Sequence, residues 1–122
     1  VGGRGLAEPC RFALALARVP FVDVAVSTRD EWLALCSSGK IPFEKLPVLV
    51  LDVELPNEPT VANVLAAFQS ERSSRVLAES GAICRHVNRL ARFSEDLDLA
   101  QLALQDTFYD AIYDARRSLY TA

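Results

Sequence analysis

The sequence lacks a Cys-x-x-Cys pair, holds a single histidine, carries no excess of positive charge and has no apolar run long enough to cross a bilayer. Each absence removes a class of function. Without closely spaced thiols there is no thioredoxin-type redox couple. Cys10, Cys36 and Cys84 lie far apart, and an odd number of scattered cysteines fits reduced thiols in a reducing compartment. Cys10 and Cys84 read as small buried hydrophobes. The lone His86 has neither a cysteine nor a carboxylate beside it. It therefore reads as a surface residue rather than a general base, and no metal site is expected. Thirteen Lys and Arg against sixteen Asp and Glu give a net charge of −3, which speaks against nucleic-acid binding. A spanning helix needs roughly 20 consecutive apolar residues, so no membrane span is expected. The chain begins with valine rather than methionine. It is expected to be part of a longer protein, with an upstream targeting segment left open.

What is present begins with apolar content. Hydrophobic residues make up 51% of the 122, enough for one compact core. The chain is organised around Lys45-Leu46-Pro47-Val48-Leu49-Val50-Leu51. Pro47 has no N–H, so it opens a strand or lies at its edge, and it pushes Leu46 towards extended backbone. An extended Leu46 with no strand partner offers one donor and one acceptor to a docking peptide. For the Leu46–Pro47 bond itself, trans is the expectation from the general preference, and cis would fix the ledge. A second stretch is Glu79-Ser80-Gly81-Ala82-Ile83. Ser80 is a preferred N-cap, and the start of a helix suits a carboxylate. Glu79 beside it suits an ammonium group. A ledge for a peptide backbone and a cradle for an amino acid's two charges together describe a site for glutathione. Taken alone, Ser80 is an ordinary cap.

In chain order, Gly2, Gly3 and Gly5 make the start turn-like. Glu8-Pro9 opens a helix running through Cys10–Val19, ended by Pro20. Residues 21–26 are rich in β-branched side chains and partly alternate, predicting a strand. Glu31–Cys36 predicts a short helix, Val48–Asp52 a strand, and Thr60–Gln69 an amphipathic helix capped by Thr60. Residues 53–75, which contain that last helix, read as a tolerated surface decoration. Val76–Ala78 predicts a very short edge strand. Ser80–Leu90 predicts a helix with Ile83, Val87 and Leu90 on one face. Residues 91–98 read as a linker, with Phe93 as an apolar plug, before a helix over Leu99–Tyr120. Its Asp106, Asp110 and Asp114 form a stripe that ordinarily faces solvent.

Arg4-Gly5-Leu6-Ala7-Glu8-Pro9, Glu31-Trp32, Pro42-Phe43 leading into Lys45-Leu46-Pro47-Val48-Leu49, and Glu79-Ser80-Gly81-Ala82-Ile83 together resemble a glutathione S-transferase, most like the sigma class. The matches follow the family's order and cover most of residues 1–52 and 77–114. The resemblance implies an α/β fold: a thioredoxin-like glutathione-binding domain over residues 1–92, with an insertion around 53–75. The first helix of an all-α C-terminal domain, truncated, follows over 93–122. It implies a transferase that uses glutathione as cosubstrate and conjugates its thiolate to a hydrophobic electrophile. That electrophile would bind mainly in the helical domain, in a cytoplasmic, detoxifying homodimer. Leu46 and Pro47 would form the backbone ledge. Ser80 would take the γ-glutamyl carboxylate, and Glu79 and Asp106 of the partner subunit its amine. Trp32 and Lys45 would face the glycine end. The family's catalytic tyrosine would fall one position before Val1, so no catalytic residue is expected in this chain. Leu6 stands where the family often has arginine, and Cys36 where it usually has lysine. Two alternatives remain open: a non-catalytic structural or interaction protein of the same fold, and a glutathione-dependent isomerase of the prostaglandin type.

Overall fold

Two four-residue strands with opposite-facing side chains set the architecture. The computed structural model describes residues 5–70, 75–92 and 95–121. Strand β1 (Val48–Leu51) pairs antiparallel with β2 (Arg75–Ala78), in the register Val48↔Ala78, Leu49↔Leu77, Val50↔Val76 and Leu51↔Arg75. Side chains alternate along a strand, so this register divides the ladder cleanly. Leu49 and Leu77 face one layer, and Val48, Val50 and Val76 face the other. Arg75 forks over Asp52, with Nε–Oδ2 at 2.6 Å and Nη2–Oδ1 at 3.3 Å, closing the far end of the ladder.

Helices cover both faces. On the Leu49/Leu77 side lie α1 (Glu8–Leu16) and α4 (Ser80–Leu90), which bury Cys10, Leu14, Ile83, Cys84 and Val87 together. On the other side lie α2 (Arg29–Ser37) and α3 (Val61–Ser70), with Leu35, Ile41, Val61 and Phe68 as the buried centre. A short 3-10 turn, Pro42–Glu44, leads into β1, and a long helix α5 (Leu99–Thr121) follows α4. Among the described residues no helix is long and apolar enough to cross a membrane.

Local chemistry explains most element ends. Pro9 occupies the first turn of α1, where its missing N–H costs nothing. The helix closes at Leu16 in a Schellman motif: Arg18 takes φ 56°, its N–H bonds the Ala15 carbonyl, and the Val19 N–H bonds the Leu14 carbonyl. The stop therefore comes before Pro20. At α2, Thr28 Oγ1 accepts from the Glu31 N–H while Glu31 Oε2 reaches back to the Ser27 N–H, a variant of the capping box. Gly39, at φ 71°, turns the chain just beyond that helix. Thr60 caps α3 through Oγ1 and the Asn63 N–H, as the sequence predicts. At α5, Asp98 and Gln101 exchange side-chain-to-backbone bonds of 2.8 and 2.9 Å, a reciprocal cap.

Three expectations are corrected. Residues 21–26 form no ladder; they have no regular secondary structure, with Val22, Val24 and Val26 half-buried and Phe21, Asp23 and Ala25 exposed. The alternation that suggested a strand is real, but among the described residues no strand lies alongside to complete the hydrogen bonds. Instead Arg11 Nε holds Asp23 at 2.7 Å, and Val24 and Val26 pack on the α2/α3 core. Second, residues 53–75 are not decoration, because α3 supplies Val61 and Phe68, each 5% exposed, to that core. Third, the Leu46–Pro47 bond is cis. Leu90, the last residue of α4, is 55% exposed. Arg4 and Phe93 lie outside the described residues.

Candidate functional site

The ladder's register brings the two singled-out stretches to one end of the sheet. Its first pair is Val48↔Ala78, so Leu46-Pro47 immediately precedes the ladder on one strand and Glu79-Ser80 immediately follows it on the other. Leu46 is 44% exposed and stands outside the ladder. Lys45, next to it, has extended backbone, φ −133° and ψ 150°, and an exposed side chain.

At the other lip, Glu79 rather than Ser80 occupies the N-cap position of α4. This corrects the assignment of Ser80 as cap: Ser80 is the first helical residue. Glu79 takes φ 68° and ψ 114° and makes no side-chain cap bond. For a non-glycine residue this is a sparsely populated conformation, of the kind that clusters where function fixes the backbone. It turns the exposed Glu79 carboxylate outwards from a helix start whose first intrahelical bond is Ile83 N–H to the Glu79 carbonyl, 3.0 Å. The N–H groups ahead of it, on Ser80, Gly81 and Ala82, precede that first bond and suit an anion. Ser80 itself is buried, 9% exposed, and its carbonyl accepts a 3.5 Å bond from the Cys10 thiol. Cys10 thus fixes the first turn of α4 from below. Burial of Cys10 and Cys84 agrees with the sequence reading, but the contact with Ser80 carries no signal in the sequence because 70 positions separate the partners.

The remaining residues are placed differently. Trp32 lies on α2 and is half-buried against the Leu35/Ile41 core, the anchoring role usual for a lone tryptophan. Asp106, on α5, is paired within the chain: Arg85 Nε reaches its Oδ1 at 2.8 Å, and Arg85 Nη2 bonds Asp110. Arg85 also lies over the Tyr109 ring, 5.8 Å from its centroid. The hydrogen bond to Asp110 raises the Arg85 pKa further above its ordinary value. Asp106 and Asp110 are therefore half of an α4–α5 clasp rather than a bare acidic stripe. Cys36 is half-buried on α2, with its thiol pushed up by desolvation and by the nearby Glu44 carboxylate. Among the described residues no group of three His, Cys, Asp or Glu side chains converges to hold a metal.

Two depressions lie elsewhere on the described residues. An apolar groove of about 400 Å³ runs along α5 between Leu104, Phe108 and Tyr109, and a cleft of about 530 Å³ separates the starts of α2 and α3. Neither is lined by Trp32, Lys45, Leu46, Pro47, Glu79, Ser80 or Asp106.

Over 65 residues the chain is 37% identical to glutathione S-transferase alpha-5 of Rattus norvegicus, a match covering 52% of this chain and 29% of that protein. It is 35% identical over 66 residues to glutathione S-transferase A3 of Mus musculus, covering 53% and 30%. It is 34% identical over 65 residues to glutathione S-transferase 3 of Gallus gallus, covering 52% and 28%. The chain is similar to glutathione S-transferases. The matched stretch spans less than a third of the length of these relatives. Their names support the transferase resemblance but not its placement in the sigma class, since they point to the alpha class. No family model matches the chain, and no solved structure does.

Proposed function

We propose that this chain is the glutathione-binding part of a glutathione transferase with a thioredoxin-like first domain. One observation carries the reading: the ladder register sets the Leu46-Pro47 ledge opposite the Glu79-Ser80 helix start. A tripeptide with a free amino acid at one end fits such a pairing. Its backbone lies along Leu46 as an added strand. Its γ-glutamyl carboxylate meets the first N–H groups of α4 and the Ser80 hydroxyl, and its ammonium meets Glu79. Lys45, exposed beside Leu46, offers a cation for the glycine carboxylate, and the Trp32 indole would have to reach that end from α2. The helix-start field and Ser80 position the peptide, and they leave its thiol directed towards chain beyond these residues. A hydroxyl donor there would stabilise the thiolate and raise its nucleophilic fraction near neutral pH. The electrophile, of hydrophobic character, is taken up by helical elements that continue from α5. The working unit is a homodimer, in the cytoplasm.

A non-catalytic member of the same fold is the second reading, and the Arg85 pairing of Asp106 favours it. An aspartate already held by its own chain is less available to a ligand amine across a dimer. The test is a conjugation assay of the parent protein that carries this chain, with glutathione and a chlorinated nitroaromatic electrophile, following thioether absorbance. Turnover that saturates in glutathione supports the transferase. Glutathione binding with no turnover supports the non-catalytic reading. Failure to bind glutathione sinks the transferase and leaves only the shared fold.

A further inference from the structure

Two thiols meet beneath the Ser80 turn. Cys10 lies on α1 and Cys84 on α4, 6% and 2% exposed, and their sulfurs are 3.8 Å apart. The Cys84 thiol donates to the Cys10 sulfur, and the Cys10 thiol donates to the Ser80 carbonyl. Leu14, Ile83 and Val87 enclose the pair. Cys36, the third cysteine, belongs to α2 on the opposite face of the sheet.

We propose that Cys10 and Cys84 form a reversible intramolecular disulfide, a redox modification site joining α1 to α4 directly under the candidate carboxylate cradle. A disulfide has its sulfurs about 2.05 Å apart, so the sulfurs close by roughly 1.8 Å through side-chain rotation and a small approach of the two helices. The oxidant is hydrogen peroxide, which is small and neutral enough to reach a core pair when the helices breathe. One thiol gives up its proton and its sulfur attacks a peroxide oxygen. The O–O bond breaks, an S–O bond forms, and the departing hydroxide takes the proton as water. The neighbouring thiol then displaces the hydroxyl of the sulfenic acid as a second water and closes the S–S bond. Two protein thiols are oxidised, and one peroxide is reduced to two waters. A dithiol reductant reverses the bridge. The hydrogen bond from Cys84, and then burial, push the Cys10 thiol well above its ordinary range. The thiolate is the attacking form, so the reaction is slow.

The bridge removes the Cys10 donor from the Ser80 carbonyl and fixes the first turn of α4 against α1. Any change it makes in glutathione affinity rests on the function proposed above; the bridge itself does not. The experiment treats the full chain with hydrogen peroxide and measures intact mass and mapped peptides, before and after dithiothreitol. The expected result is a loss of two hydrogens, a linked Cys10–Cys84 peptide, and full reversal. The same loss is expected in Cys36→Ser and none in Cys10→Ala. Where Cys10→Ala fails to fold, Cys84→Val serves the same purpose. Unchanged thiols, singly over-oxidised cysteines, or a bridge through Cys36 would overturn the proposal. A mapped bridge in a chain that does not bind glutathione would leave this inference standing while removing the functional reading.

Discussion

Replacing Phe68 by alanine tests whether α3 belongs to the core. Phe68 is 5% exposed and packs with Leu35, Ile41 and Val61, beneath Val50 and Val76 of the sheet. Truncating a buried phenylalanine loses its transfer free energy and leaves a cavity, together about 3–5 kcal/mol. Domains of this kind are stable by only about 5–15 kcal/mol, so the change removes a large share of the total. With a urea dependence of about 1.5 kcal/mol per molar, the unfolding midpoint should fall by roughly 2–3 M. The assay is urea denaturation followed by circular dichroism. Leu99→Ala is the control: Leu99 is 86% exposed, and its truncation should stay within about 0.5 kcal/mol. Where the alanine variant is too unstable to purify, Phe68→Leu keeps most of the volume and should cost about 1 kcal/mol. A Phe68→Ala midpoint equal to that of the control would refute the reasoning and return α3 to the status of surface decoration.

Three further outcomes are expected. Glu79→Gly relieves a conformation at φ 68° that glycine adopts readily. The unfolding midpoint should rise while glutathione affinity falls; a lower midpoint contradicts the backbone argument. Arg85→Ala opens the α4–α5 clasp. Because Asp106 and Asp110 are half to two-thirds exposed, a double-mutant cycle with Asp106→Ala should give a coupling of only about 0.5–1 kcal/mol, and zero coupling would mean that the pair is not formed in solution. Asp52 is held below its ordinary pKa by the Arg75 hydrogen bond. A depressed carboxylate stabilises the fold above its unfolded pKa, and that contribution is lost as pH falls through the lower folded value. Asp52→Asn should therefore flatten the acid limb of the stability profile, and an unaltered limb in that variant rules the linkage out.

Local signals carried much of the fold. Glu8-Pro9 and Thr60 predicted the starts of α1 and α3 because proline and cap chemistry act within a few residues. Val48–Leu51 was legible from its β-branched and aliphatic run behind Pro47, and Ser80–Leu90 from its helical period. What failed depended on distant partners. The alternation over residues 21–26 predicts a strand, but a ladder needs a neighbour that local pattern cannot supply. The role of Phe68 depends on α2 and the sheet, which its own helix does not reveal. Arg85 was missed as the clasp between α4 and α5 because its carboxylates lie 21 and 25 positions away. At the site, both halves were readable as motifs. Their meeting at one sheet end, and Glu79 taking the cap position from Ser80, became visible only with the register.

The most direct test is calorimetric titration of the full chain with glutathione, run beside Ser80→Ala. Ser80 sits at the helix start proposed to take the γ-glutamyl carboxylate, and a hydrogen bond to a charged group contributes about 1.5–3 kcal/mol. The account predicts saturable binding by the native chain and a dissociation constant raised roughly 10- to 100-fold in the variant. Absence of binding by the native chain, or equal affinity in the two, would contradict it.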